Sequence, residues 1–588
     1  MFQSIANTIQ SQSKLILTLA GLGCITFSPQ AIAQEEEQDL GTEVVNVVKP
    51  YTPTISDAFK VKQTPVLNDD ANTAKKPVRY QIFSVPVAST FTPAKSKASG
   101  IKKIKAPKSW DNYATLGFGN NTTILAELFS NFEISRTENA GVYLRHNSSQ
   151  RGIDGLAIDN KYYDTRLDGN YYNRQRDMSY GIEAGVEHQI YNWYGSHFNE
   201  MAEAISYSFP EDVNQSYLSA YAGGNIAFDD SYFKKATATL RYTGDAFSTS
   251  EINFRAQPEF SFPVSDLNFK VLADIDYLSG RFEQGISSTD EIKYSFLNAG
   301  LSPSLVYSDN DLTANIGVTG YVSLDTNASE TNFNIYPNIN ASYNLLDELL
   351  VVYAGAEGGL EQNTYYQLKN DNPFISPTQQ IKPSSKLYEG FGGVKGKLSS
   401  VIAYNLRGSY SNTNDQVLFT RNAIDNLYFV DQPYQQANSF SAIYDDIKTL
   451  NIFGELQVEV SENFAIGGQV NFNSYTLESQ VEAWNLPKID ATLFTRFNIT
   501  EKLYGGGSIF FVGEREALVS YFNDIYAPEK TTLDSYLDLN ANLGYRISDR
   551  LNVFAKGSNL LAKNYEKWLD YPVQGIQVLG GATYKFDW

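Results

Sequence analysis

Along most of this chain, apolar and polar residues trade places at every second position. In 466–473, Ile466, Gly468, Val470 and Phe472 alternate with Gly467, Gln469, Asn471 and Asn473. In 331–343, Phe333, Ile335, Ile339, Ala341 and Tyr343 oppose Asn332, Asn334, Asn338, Asn340 and Ser342. In 533–545, Leu537, Leu539, Ala541, Leu543 and Tyr545 oppose Asp538, Asn540, Asn542 and Gly544. A period of two marks a strand whose faces meet different surroundings. One apolar face and one polar, mostly uncharged face suit a wall between lipid and water.

The rhythm predicts strands near 113–120, 123–133, 139–147, 177–190, 199–209, 214–228, 232–243, 249–261 and 266–279. It continues through 291–307, 311–324, 331–343, 348–362, 386–398, 400–411, 447–460, 462–475, 488–499 and 501–513. The last three are 533–545, 549–559 and 575–588. Residues 148–175, rich in Tyr, Asp, Asn and Gly, read as a long outer loop. Asp309-Asn310-Asp311 and Ser461-Glu462-Asn463 read as compact turns. The gaps 363–385, 412–446, 476–487, 514–532 and 560–574 are long. Short inner turns and long outer loops are what a bacterial barrel shows, and its strand number is even. The fold class is all-β: a large antiparallel transmembrane β-barrel over 111–588, of about 22 strands, without a full globular plug. Closure is a physical demand, because an open edge in hydrocarbon leaves amides unpaired. So wide a lumen is not filled by wall side chains, so chain or solvent must occupy it.

Composition narrows the class. Mean hydropathy is −0.32, and after the N-terminus no apolar run is long enough for a spanning helix. That excludes a helical membrane protein and leaves a barrel, which needs lipid-compatible residues only at alternate positions. A net charge of −20 argues against nucleic-acid binding. A soluble β-sandwich is the competing class, but it has no use for a terminus with Tyr584, Phe586 and Trp588 at every second place.

The first residues differ. Lys14 precedes the apolar run 15–22, and Ala31-Ile32-Ala33 gives a small-x-small cleavage pattern, so 1–33 reads as a secretory signal peptide. Its removal takes away Cys24, the one cysteine, and excludes disulfide and thiol chemistry. Residues 34–110 carry Pro50, Pro53, Pro65, Pro77, Pro86 and Pro93, too many for a compact sheet. This periplasmic or luminal segment ends on Lys95, Lys97, Lys102, Lys103, Lys105 and Lys108. Those lysines form either a solvated linker or a docking element for acidic groups of the mouth or lumen, or for anionic lipid.

Candidate chemistry is sparse. His146, His188 and His197 have no metal-ligand spacing and read as wall or loop residues. Gly505-Gly506-Gly507 interrupts a strand and lacks the Lys-Ser/Thr of a phosphate loop, so it reads as relief of crowding. Asp309, Asp311, Asp445 and Asp446 have no calcium-loop spacing. No catalytic set is discernible, and neither an enzyme activity nor a cofactor is expected. Tyr162-Tyr163, Tyr171-Tyr172, Tyr365-Tyr366, Tyr428-Phe429 and Trp484 read either as a binding surface or as stacking within folded loops.

The C-terminal region carries a pattern: 559–565 (Asn-Leu-Leu-Ala-Lys-Asn-Tyr), 571–575 (Tyr-Pro-Val-Gln-Gly), and 581–586 (Gly-Ala-Thr-Tyr-Lys-Phe). It resembles the end of TonB-dependent outer-membrane receptors, whose last strand closes on Tyr-x-Phe. The resemblance implies that Tyr584, Phe586 and Trp588 form the barrel-assembly signal, with Asp587-Trp588 extending past the usual stop. That family carries an N-terminal plug; residues 34–110 are too short for one, so the chain resembles a plug-less group common in Bacteroidota. Two functions follow. One is a structural or accessory subunit of a larger outer-membrane complex for protein assembly, secretion or surface-lipoprotein handling. The alternative is a receptor-like channel for solute or nutrient uptake. Either implies the outer membrane of a Gram-negative bacterium, contact with its lipid and lipopolysaccharide, and, for the first, protein partners in the outer membrane or periplasm.

Overall fold

A computed structural model describes residues 110–588, except 154, 157, 196–212, 424–431 and 520–528. The signal peptide and the basic Pro-rich segment, with Lys95, Lys97, Lys102, Lys103, Lys105 and Lys108, lie outside the described residues. So do His197 and Tyr428-Phe429.

Twenty-two antiparallel strands form one sheet, and the first pairs with the last. Asn112–Gly119 lies against Gln577–Phe586, with Asn112 opposite Phe586 and Gly119 opposite Leu579. The wall is therefore closed, as hydrocarbon requires. Links at the end that holds both 112 and 586 are short, among them 136–137, 265–266, 309–311, 462–463 and 547–550. The opposite end carries 150–161, 193–213, 362–383, 422–439, 478–488, 513–535 and 559–576. This asymmetry puts residues 112 and 586 at the periplasmic rim and the long loops outside.

Alternation sorts the wall as expected. Phe333, Ile335 and Ile339 are exposed on the lipid face. Their neighbours Asn338 and Asn340 turn inward, where Asn315 donates to Asn338 and Asn340 donates to Glu357. Aromatics collect on the outer face near each rim. Phe132, Tyr232, Tyr343, Phe464, Tyr545, Tyr584 and Trp588 stand at the periplasmic end, and Tyr242, Tyr277, Phe333, Tyr388 and Phe472 towards the other. Two girdles around an apolar band place the protein in an outer membrane. No described helix is long and apolar enough to cross a membrane.

Three expectations change. Residues 162–174 are a wall strand, Tyr162–Arg174, paired on both sides, not loop. Its lipid face offers Tyr163, Thr165, Leu167, Gly169 and Tyr171, with one aliphatic residue among them, so its rhythm is faint. Met178–Asn192 pairs directly with Asn214–Phe228, and the wall closes without 199–209, which lies outside the described residues. The strands bounding the 412–446 gap are also longer than expected, Ile402–Arg421 and Phe440–Ser461, leaving a loop of 422–439.

Candidate functional site

Tyr584 and Phe586 sit on the strand that seals the barrel, Gln577–Phe586, and Trp588 lies just past its end. The Thr115 and Thr583 hydroxyls bond across the seam at 2.8 Å, and Asn112 Nδ2 donates to the Phe586 carbonyl at 3.1 Å. Trp588 reaches past the first strand. Its Nε1 donates to Ser130 Oγ at 2.8 Å, and its ring stacks on Phe132. The terminal residue thus ties the last strand to the second. The motif upstream is structural as well. Asn559 donates to the carbonyls of Lys563 and Gln574, and Tyr565 donates to Asp538 while stacking on Tyr536 at 3.8 Å.

The other sequence candidates resolve into wall and turn chemistry. His146 bonds Thr165 and Ser148, and His188 bonds Ser216. Gly505 and Gly506 lie where a Cβ would meet the carbonyls of Asn542 and Thr495 at 2.6 and 2.8 Å, so neighbouring wall strands are what require glycine there. Asp309 accepts from the amides of Asp311 and Leu312 within its turn. Asp445 caps the amides of Ser479 and Gln480. Trp484 is buried in its loop and donates to Gln480. No acidic or histidine group suited to a metal ion occurs among the described residues.

The feature that sequence reading missed is the course of loop 362–383. It leaves the rim and folds into the outer part of the lumen. Its helix, Tyr365–Asp371, begins at Thr364, whose hydroxyl accepts from the Gln367 amide while the Gln367 side chain accepts from the Thr364 amide. This reciprocal cap is written in the sequence as Thr364-x-x-Gln367. Pro373 ends the helix. Tyr365, Leu368 and Lys369, spaced as one helical face, are buried. Past the helix, Ile375 bridges Phe440, and Gln379 both accepts from the Ala442 amide and donates to the Phe440 carbonyl.

The wall that receives this helix is acidic. Glu251 accepts from the amides of Tyr365 (2.7 Å) and Tyr366 (3.2 Å) and from the Tyr294 hydroxyl (2.8 Å). Asp245 accepts from the Tyr365 hydroxyl at 2.7 Å, and Glu187 from the Tyr366 hydroxyl at 3.1 Å. Lys369 Nζ donates to Gln189 Oε1 at 2.5 Å and lies over the rings of Tyr366 (4.6 Å) and Tyr217 (5.4 Å). Burial pulls its ammonium down to about 8, and Glu187 and Asp164 act in the opposite direction. Burial raises the Tyr365 phenol well above its ordinary value, with Asp245 adding to the effect.

An apolar cluster closes over the helix. Tyr365, Leu368 and Ile375 of the loop pack with Tyr217, Leu278, Phe282, Tyr294, Phe440 and Tyr571. Phe374 stacks on Tyr571 at 3.8 Å, and the Tyr571 hydroxyl donates to the Asn438 carbonyl. Further out, Arg421, Lys530, Asp534, Tyr565, Glu566 and Asp570 line a polar pocket of about 510 Å³ among the outer loops. Loop 362–383 thus occupies part of the outer lumen, held by groups that can exchange their partners for water.

The same architecture occurs in solved structures. The FrpB iron transporter from Neisseria meningitidis matches with a TM-score of 0.60 at 11% identity, over 82% of each chain. The siderophore receptor PirA from Acinetobacter baumannii gives 0.59 at 11%, over 82% of this chain and 81% of that one. The copper transporter OprC gives 0.58 at 13%, over 82% of each. At such identities the likeness shows the fold, a large outer-membrane β-barrel. No protein-family model and no curated protein sequence matches the chain.

Proposed function

We propose that this protein is a receptor-like outer-membrane channel for solute uptake, closed from outside by loop 362–383. The docking of that loop carries the reading. Polar contacts to Asp245, Glu251, Glu187 and Gln189 hold its helix, and water can replace each of them when the loop lifts. The fold is shared with chains named as iron and copper transporters and siderophore receptors, which supports uptake over a purely structural role. The accessory-subunit reading draws no support from the geometry. Membrane lipid and lipopolysaccharide are the partners that the two girdles fit.

The test is conductance in planar bilayers. The intact protein should be nearly silent. A variant in which 365–376 is replaced by a Gly-Ser linker, and which keeps heat-modifiable gel migration, should pass ions. A folded but silent loop variant that co-purifies with a stable partner would favour the accessory role instead.

A further inference from the structure

We propose that the wall patch now occupied by Lys369 is a binding site for a polyammonium solute, and that Lys369 is its tethered stand-in. This rests on the channel reading and adds the chemical class of the cargo. Wall groups supply half of the ammonium's contacts, the rest coming from its own helix, where the Tyr366 ring lies at 4.6 Å. The ammonium has one wall acceptor, Gln189 Oε1 at 2.5 Å, one acceptor on its own loop, Asn370 Oδ1 at 3.2 Å, and the wall ring of Tyr217 at 5.4 Å. Among the described residues no carboxylate comes within ion-pair distance of it, although Glu187, Asp164 and Glu251 all act on its charge.

For a loop selected only to seal a barrel, this is a poor choice of residue. A buried ammonium without an ion-pair partner is expensive, and an apolar side chain of similar length would close the lumen better. The charge makes sense if closure must yield to a competitor of like chemistry. Without the helix, the wall keeps Asp164, Glu187, Asp245 and Glu251. Arg241 is the cation set among them, lying over the rings of Tyr221 and Tyr366. The nearby Arg166 is engaged by Asp168 at 2.6 Å, and Arg145 faces Glu127 at 3.9 Å. The exposed patch is therefore net negative, with acceptors on four of the five adjacent strands from Tyr162–Arg174 to Ser250–Val264. A tethered group acts at an effective concentration of order millimolar. A single free ammonium competes weakly with that, whereas a chain of two or more can engage several carboxylates together.

The experiment uses the full chain in nanodiscs, with spermidine as probe and glycerol and sodium at matched ionic strength as controls. Binding is read by calorimetry and opening by conductance. Lys369→Met removes the occupant and keeps the wall, so spermidine affinity should rise about tenfold or more. Glu187→Gln in that background should lower it again. Heat-modifiable migration checks folding, and Lys369→Arg should restore the wild-type affinity. Equal spermidine affinity in wild type and Lys369→Met, or indifference to Glu187→Gln, overturns the proposal. Tight spermidine binding without conductance upholds the site and sinks the channel reading. Conductance of Lys369→Met without spermidine binding does the reverse.

Discussion

At the scale of single residues, Lys369 gives the loop a pH response whose sign follows from its setting. Docked, its ammonium titrates at about 8; lifted into water, it returns to an ordinary lysine value near 10.4. Between these values the docked state binds fewer protons, so raising the pH from 8 to 10 favours docking. Channel opening should become rarer by up to about tenfold per pH unit across that window. Single-channel recording checks this, and Lys369→Met should remove the slope. Above pH 10 the buried Tyr365 and Tyr366 phenols, which dock neutral, reverse the trend. Tyr365→Phe tests the bond to Asp245: it leaves that carboxylate short of one donor inside the lumen. Docking should weaken by about 1–3 kcal/mol, read as faster hydrogen exchange in 363–376.

At the scale of elements, the period of two carried the strands. Most wall strands lie within a few residues of where alternation placed them, because lipid enforces apolar residues on one face. Where that face is poor in aliphatics, as in Tyr162–Arg174, the signal failed. Alternation predicts 22 strands and the wall has 22, but the pattern includes 199–209 where the sheet uses Tyr162–Arg174. The luminal helix was hidden for a different reason. Its burial comes from wall residues distant along the chain, such as Tyr217, Phe282 and Phe440, and Tyr365-Tyr366 read as outer-loop aromatics. The local clue was the Thr364/Gln367 box, and it is testable. Thr364→Ala should cost about 1 kcal/mol of docking and raise opening about fivefold in the same recordings. The acidic receiving wall was legible only as inward-facing positions, because pattern gives the face and not which distant loop will meet it.

At the scale of the whole molecule, stability is tied to one seam. Gly581 lies where a Cβ would meet the Leu116 carbonyl at 2.4 Å, so the two strands approach more closely there than a side chain permits. Gly581→Val should destabilise the barrel by about 1–3 kcal/mol, lowering the temperature at which gel migration shifts. Removing Phe586 through Trp588 should leave little assembled protein in the membrane fraction, since it deletes the Asn112–Phe586 pairing and the Trp588 bond to Ser130 together.

The partners in that seam, residues 112 and 586, are the most distant pair in the sheet along the chain. Residue 112 waits, unmatched, for residue 586, through the synthesis and export of everything between them. Fragments lacking the tail therefore expose two ragged borders and no continuous cylinder, whatever hairpins they form on the way. The cylinder can be sealed only when the strand Gln577–Phe586 reaches Asn112–Gly119, so no shorter run of hairpins makes a finished wall.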